Sequence, residues 1–314
     1  MKTVLLAAPV SDAFRHWLQQ EGFELFIYDF HNEIPYPRIT GIITSNRLVL
    51  NVENLRHYSS LQWIARLGSG MEIIDTAYCA QTSIACFSSP AGIASSVAEH
   101  TIGMLLGLLH LIPKAMDEIR NGNWIREANR GLELGSRTIG IIGYGHTGSA
   151  FVEVLKAFHP RILIYDKYKS GFSFEASLEE LKNEADIISF HVPLNDETRH
   201  YYNRSFMSEM KKKHILINTS RGAIAETQTI LEGLQSGQIS GACLDVLEEE
   251  SRIGDVLKDP KNIVQQLLNY PVILTPHIAG YSMQAIDKMS EELRLQLAEY
   301  FTAGGIHPLK TLEE

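Results

Sequence analysis

The sequence predicts an α/β chain built as two parallel-sheet domains with a cleft between them, and three observations carry that prediction. Short apolar β-like runs alternate with amphipathic segments along the first ninety residues, and again from residue 138 onward. The second series opens with a strand, a glycine-rich turn, a helix-compatible segment and another strand, in the order Thr138 to Asp166. The chain of 314 residues is also longer than one hydrophobic core usually serves.

In the first series the expected strands are Thr3 to Ala8, Glu24 to Tyr28, Gly41 to Thr44, Leu61 to Leu67 and Ile84 to Phe87, with helices over Ser11 to Glu21 and Val52 to Tyr58. Ser96 and Glu99 have capping-box spacing, which predicts a helix starting there. It runs through Met104, Leu105, Leu108 and Leu109 toward Met116 and Ile119. Its apolar character on more than one face suggests packing between domains or against a second subunit, and Val97 to Leu111 is the segment expected to support a homodimer. A second capping box, Ser177 and Glu180, precedes a helix and the strand Asp186 to Val192. Later strands, His214 to Asn218, Ser240 to Leu244 and Pro271 to Leu274, are apolar almost throughout, as central parallel strands covered on both faces are. The helical segment Ser282 to Gly304 is free to return to the first domain. The expected division is therefore 1–94 with 283–314 as one discontinuous domain, and 95–282 as the other.

Composition excludes several classes. Asp and Glu number 37 against 28 Lys and Arg, a formal charge of −9 with no basic stripe, which argues against a nucleic-acid partner. No uninterrupted apolar run long enough for a membrane span is expected, and Met1 to Val10 reads as a first strand rather than a secretory signal. Cys79, Cys86 and Cys243 form no CxxC and pair with no histidine spacing, so buried thiols in a reducing, cytoplasmic compartment are expected and no metal. Lys211 to Lys213 reads as a solvated helix end.

The glycine turn carries the most information. Gly143 permits a tight turn, Gly145 lets backbone approach a pyrophosphate, and Gly148 lets the following helix, expected over Ser149 to Phe158, pack closely on the strand. A helix N-terminus offers N–H groups and the positive end of its dipole to phosphates. Asp166 lies 18 residues beyond Gly148, after the strand Arg161 to Tyr165, where a carboxylate bonds both ribose hydroxyls and repels a 2′-phosphate. NAD is therefore favoured over NADP, although Lys167 and Lys169 are cations placed to accommodate an extra phosphate. Both domains are expected to be of the Rossmann-like or flavodoxin-like kind.

Three strand ends in the second domain carry groups suited to oxidising an alcohol beside a carboxylate. Arg221 follows Ile217 to Asn218 and presents a guanidinium able to hold a carboxylate in a bidentate way. His277, in Thr275 to Gly280, is a side chain suited to moving protons near neutral pH. The run Asp245 to Glu250 offers a carboxylate to hold that imidazole. Singly, each is as readily a salt-bridge partner, a packing histidine or a solvated acidic face; together they point to catalysis.

With these motifs in order, the chain resembles the D-isomer-specific 2-hydroxyacid dehydrogenases over essentially its full length. The matching stretches are Ser96 to Thr101, Gly140 to Gly148, His191 to Leu194 with Glu197 and Thr198, Ile217 to Gly222, Gly241 to Val246 and Thr275 to Gly280. The resemblance implies that Arg221, Glu250 and His277 are catalytic, Glu250 because it lies five residues after Asp245. It also implies that His146, Thr147, Pro193, Thr219 and Asp245 line NAD beside Gly143, Gly145, Gly148 and Asp166. Ser69 and Gly70, in the run Arg66 to Asp75, match the loop that meets the substrate carboxylate and nicotinamide through backbone N–H groups.

The implied reaction is hydride transfer between nicotinamide and a small anionic D-2-hydroxyacid or 2-oxoacid. Short phosphoglycerate dehydrogenases are similar, but the arginine expected after the third strand is Thr44, with Arg47 nearby, so 3-phosphoglycerate stays open as a substrate. Other departures from the family pattern are Glu72 for aspartate, Ser251 for proline, His159 for glycine, and a long segment from 251 to 269. A different reading is an NAD(H)-sensing corepressor-like binding protein, since the loop Gly68 to Gly70 also resembles those members of the superfamily.

Overall fold

The computed structural model describes residues 2–29, 34–45, 48–259 and 261–304, with the side chains of Ser251 and Arg252 set aside. Arg47, the candidate phosphate contact, lies outside the described residues. The chain divides into two compact units, Met1–Ala94 with Tyr281–Glu314, and Ser95–Gly280. The second crossing thus falls two residues before the sequence-based boundary.

The first unit is a five-stranded sheet of β1 (Lys2–Ala7), β2 (Phe23–Ile27), β3 (Ile39–Thr44), β4 (Trp63–Arg66) and β5 (Ala85–Ser88), in the order β2-β1-β3-β4-β5. Every pairing is parallel. Its first three helices are α1 (Asp12–Gln20), α2 (Val52–Leu55) and α3 (Thr76–Gln81), capped by the side chains of Ser11, Asn51 and Asp75. The alternation of side chains along β1 sends Val4 and Leu6 into one core and Leu5 into another, so the sheet is covered on both faces. Gly41 is required by Trp63, whose ring would lie 2.1 Å from a Cβ there.

α4 (Pro90–Leu109) starts six residues before Ser96, so the Ser96/Glu99 pattern lies inside the helix and is not its cap. Proline, with φ already helical and no N–H to satisfy, starts a helix well at Pro90. The Ser96 hydroxyl instead donates to the Ala279 carbonyl (2.8 Å). α4 is long and apolar enough, by length and composition alone, to cross a membrane, although Glu99 and His100 interrupt its apolar run. Ala98, Ile102, Leu105 and Leu109 are nevertheless packed into the second unit's core, which explains apolar residues on several faces. The helix also stops at Leu109: Leu111 takes a left-handed φ of 55°, and a separate α5 (Ile112–Arg120) carries Met116 and Ile119.

In the second unit, β6 (Thr138–Ile142), β7 (Arg161–Tyr165), β8 (Ile187–Phe190), β9 (His214–Asn218), β10 (Ile239–Leu244) and β11 (Val272–Leu274) form a parallel sheet ordered β11-β10-β9-β8-β6-β7. A parallel bridge between Ile164 and Glu175 extends this edge beyond β7. Counting it as a strand yields the order 3-2-1-4-5-6-7, the 3-2-1-4-5-6 order of dinucleotide folds with β11 added at the far edge, and the chain reverses direction across the sheet beside β6. The covering helices are α6 (His146–Lys156), α7 (Leu178–Glu184), α8 (Arg204–Glu209) and α9 (Thr227–Ser236). The segment after Ser251 is partly helical, with α10 (Ile253–Val256) and α11 (Ile263–Leu267), and Val264 and Leu267 are buried in the core. α12 (Met283–Thr302) returns to the first unit, burying Ala285, Met289, Leu293 and Leu297 there.

Two backbone and burial details have measurable consequences. His159, where the resemblance expects glycine, adopts a left-handed φ of 55°, a conformation glycine takes without a Cβ penalty. His159→Gly is therefore expected to raise stability by ~0.5–1 kcal/mol in thermal or urea unfolding. His191, just past β8, is buried beside Phe151 and bonded to Ser189 Oγ (2.8 Å), and burial pushes its pKa down to about 4. The unfolded imidazole, with a pKa near ~6.5, binds a proton that the folded one refuses. Stability is thus full above pH ~6.5 and falls as pH drops toward about 4. His191→Gln should flatten that slope by an amount on the order of 3 kcal/mol across the window, read from urea midpoints at several pH values.

Candidate active site

The glycine loop joins β6 to α6. Gly143 takes φ +97°, and a Cβ there would lie 2.4 Å from the His191 carbonyl oxygen. A Cβ on Gly148 would lie 2.2 Å from the Gly143 oxygen, so the helix can approach the turn only without side chains. Gly145 differs: nothing lies within 4 Å of the position its Cβ would take. α6 starts at His146, earlier than the expected Ser149, because the motif itself forms the first turn. Its N-cap, Gly145, provides no side-chain hydrogen bond, whereas Ser177, Asn203 and Asn262 cap α7, α8 and α11. Bare N–H groups of the first turn, with open space at Gly145, fit a pyrophosphate; His146 and Thr147 would supply those amides.

Asp166 ends β7. Its Oδ2 accepts from the Tyr144 amide (2.7 Å), and Oδ1 accepts from the amides of Tyr168 (2.9 Å) and Lys169 (3.0 Å). A carboxylate has about four lone-pair positions, so capacity remains for a ribose hydroxyl. Pro193 is exposed, and its carbonyl accepts from the Thr198 hydroxyl (2.5 Å). Thr219 is buried with its hydroxyl against that of Thr101 on α4 (3.0 Å), which ties the end of β9 to that helix.

Arg221 follows β9 in an extended conformation, half-buried, with Nη1 donating to the Ser220 carbonyl (2.8 Å). Buried Asn218 shapes this loop, donating to the Arg221 carbonyl (2.9 Å) and accepting from the Ser220 amide (3.2 Å) and hydroxyl (2.9 Å). A Cβ on Gly222 would lie 2.0 Å from the Leu247 oxygen, so the arginine loop is packed directly on the segment leading to Glu250.

His277 Nδ1 is hydrogen-bonded to Glu250 Oε1, with side-chain exposures of 32% and 44%. The pair is therefore reachable from solvent, and Nε2 is the ring nitrogen left for other partners. The turn carrying His277 is held by Asp245, which is 1% exposed. Its Oδ1 accepts from the Thr275 hydroxyl (2.5 Å) and the Ile278 amide (2.9 Å), and Oδ2 from the Ala279 amide (2.8 Å). The His277 amide donates to the Asp245 carbonyl (2.8 Å), and the residue sits at φ +56°. With the Thr275 hydrogen committed to Asp245, Thr275 Oγ1 accepts from His100 Nε2 (3.0 Å) on α4.

In the first unit, Ser69 and Gly70 are half-buried in the turn after β4. Ser89 closes that turn: its hydroxyl donates to the Arg66 carbonyl (3.1 Å) and accepts from the Gly68 amide (3.0 Å), and its own amide donates to the Gly68 carbonyl (2.9 Å). Ser89, Asn218, Thr275 and His100 were not singled out from the sequence. His100, Asn218 and Thr275 lie inside stretches that match the family pattern, whereas Ser89 carries no signal beyond a short polar residue at a strand end, which many loops share.

Residues 102–279 match the family described as D-isomer specific 2-hydroxyacid dehydrogenase, NAD binding domain. The aromatic 2-oxoacid reductase of Clostridium sporogenes is 31% identical over 278 residues, covering 85% of this chain and 82% of that protein. The D-3-phosphoglycerate dehydrogenase of Archaeoglobus fulgidus is 29% identical across 90% of this chain, which spans only 54% of that longer protein. Among solved structures, the D-lactate dehydrogenase of Aquifex aeolicus, complexed with NAD and lactic acid, superposes with a TM-score of 0.82 at 29% identity, covering 97% and 96% of the two chains. The uncapped glycine loop, the carboxylate ending β7 and the matched sequence lead to one assignment: the chain belongs to the NAD-dependent D-isomer specific 2-hydroxyacid dehydrogenases.

Proposed function

We propose that this chain interconverts a small, unphosphorylated 2-oxoacid and its D-2-hydroxyacid, with His277, Glu250 and Arg221 as the catalytic groups. The hydrogen-bonded pair of His277 and Glu250 carries the reading. Glu250 fixes the ring through Nδ1, so Nε2 is the atom that donates a proton to the carbonyl oxygen in reduction and withdraws it in oxidation. Arg221 holds the substrate carboxylate and polarises the carbonyl oxygen, a role worth about 10²–10³ in rate for a preorganised electrostatic group. Ser69 and Gly70 are assigned to the substrate carboxylate through their amides. NAD, when bound, supplies or accepts the hydride. Its pyrophosphate is assigned to the amides at Gly145, His146 and Thr147, and its adenosine ribose to Asp166; Pro193, Thr219 and Asp245 are assigned to the cofactor's surroundings.

An unphosphorylated substrate is supported by fully buried Thr44 at the end of β3, where a phosphate-binding arginine is expected, and by the two-way coverage of the Clostridium reductase. Kinetics with NADH should give kcat/KM at least tenfold higher for an aromatic 2-oxoacid or pyruvate than for 3-phosphohydroxypyruvate. The reverse order would assign a phosphorylated substrate, and NADH binding without turnover on any 2-oxoacid would favour a sensor.

A homodimer in a cytoplasmic, reducing compartment completes the reading, and three free thiols, Cys79, Cys86 and Cys243, suit that compartment. The dimer is supported by α5 rather than by Val97 to Leu111. α5 buries none of its residues and exposes Ile112, Met116 and Ile119 on one face, followed by Trp124 at 86% exposure. An apolar stripe of this kind is covered by a partner surface in a stable protein. Sedimentation should show a dimer at micromolar concentration, and a Met116→Glu/Ile119→Glu variant should sediment as a monomer.

A further inference from the structure

Beside Asp166 lies a contact that the proposed chemistry does not use. Lys167 Nζ is bound to Glu197 Oε2 (2.7 Å), and the Tyr168 hydroxyl donates to the same oxygen. The lysine also lies 5.3 Å from the centroid of the Tyr168 ring. Both positively charged and phenolic partners are thus gathered on one carboxylate, which holds Lys167 above the usual lysine range and Glu197 below the usual carboxylate range.

The two sides of this contact come from loops on either flank of β6. Lys167 and Tyr168 follow β7, and Glu197 follows β8; both strands pair with β6, whose end carries the glycine loop. The backbone on each side is held in place, which leaves the exposed side chains as the movable part. Asp166 accepts from the Tyr168 and Lys169 amides, which fixes the first turn. Asn195 Oδ1 accepts from the amides of Glu197 (3.0 Å) and Thr198 (3.0 Å), and the Thr198 hydroxyl is bonded to the Pro193 carbonyl, which fixes the second. The groups are 55% and 54% exposed, so the pair adds little to folding. A fixed, solvent-exposed ion pair next to the ribose carboxylate calls for another explanation.

We propose that Glu197 is a cofactor-selectivity residue: it draws the Lys167 ammonium onto the β8 loop and away from the place beside Asp166 where a 2′-phosphate would sit. NADP is then disfavoured twice, by repulsion from Asp166 and by engagement of the Lys167 cation elsewhere. Removing the Glu197 charge returns Lys167 to that place, and Lys169 lies two positions along the same turn. The inference rests on the reading of Asp166 as the ribose partner, so its test separates the two.

Nicotinamide fluorescence titrations on the purified protein would measure Kd for NADH and NADPH without any substrate. Glu197→Gln is expected to lower the NADPH-to-NADH ratio of Kd values about fivefold or more, the scale of an exposed charge contact, with the effect shrinking at high salt. Adding Lys167→Ala to Glu197→Gln should abolish the gain. Thermal unfolding midpoints close to that of the unaltered protein would show that each variant is folded. An unchanged ratio in Glu197→Gln, or a gain that persists without Lys167, overturns the proposal. Asp166→Asn tests the underlying reading separately: if its ratio of Kd values is also unchanged, the ribose assignment fails and the selectivity inference falls with it.

Discussion

Replacing His277 by alanine is expected to lower kcat for 2-oxoacid reduction by about 10³–10⁴-fold, at the upper end of what general acid–base catalysis contributes. NADH affinity should change little, because the imidazole is assigned to the reacting oxygen and not to the dinucleotide. Glu250→Gln separates the two members of the pair. Glutamine keeps an oxygen for Nδ1–H but no charge to balance an imidazolium, so a loss of roughly 10²-fold is expected, smaller than that of His277→Ala. Stopped-flow single-turnover measurements would assign the loss to the chemical step. Undiminished single-turnover rates in His277→Ala would remove this residue from the mechanism.

Asp245→Ala is expected to cost both stability and turnover, and for a reason independent of charge chemistry at the reacting atoms. The buried carboxylate accepts from the Thr275 hydroxyl and from the amides of Ile278 and Ala279. Alanine leaves three donors without their acceptor, and each buried donor so stranded costs about 1–3 kcal/mol, partly recovered by entering water. A loss of about 3 kcal/mol in urea unfolding is expected. The same bonds hold His277 at φ +56°, a backbone conformation that costs about 1 kcal/mol and persists only where the surroundings enforce it. Relaxation of that turn would move the imidazole from Glu250, and kcat should fall by about 10²-fold or more. Asp245→Asn retains an acceptor oxygen and should fall between. A variant that keeps both its unfolding midpoint and its kcat would show that the turn is held by other contacts.

Much of this was legible in the sequence because the relevant physics is local. β7 and β9 run over the residues their apolar runs predict, since strands covered on both faces need unbroken apolar character. The glycine spacing could be interpreted because part of its physics is local: Gly143 takes a positive φ and Gly148 approaches the Gly143 carbonyl, whereas the approach of Gly143 to His191 comes from the neighbouring strand. A capping box is a local pattern that does not show whether a better N-terminus precedes it, so Ser96 marks the start of α4 in the sequence although Pro90 begins it in the structure. The end of α4 is not legible in the sequence because a stop at Leu111 requires a left-handed leucine, against local preference. The segment after Ser251 shows no helical pattern in the sequence because α10 and α11 are too short for a helical period to register.

By itself, then, the sequence determined the strand succession, the dinucleotide loop with Asp166, and the residue types able to carry the chemistry. Those features depend on neighbours a few positions away. Only the tertiary structure decided that His277 meets Glu250 across 27 positions, that Asp245 holds the His277 turn, and that Glu197 takes hold of Lys167. These contacts join the carboxyl ends of different strands, and their partners are set by sheet order, which no local spacing encodes.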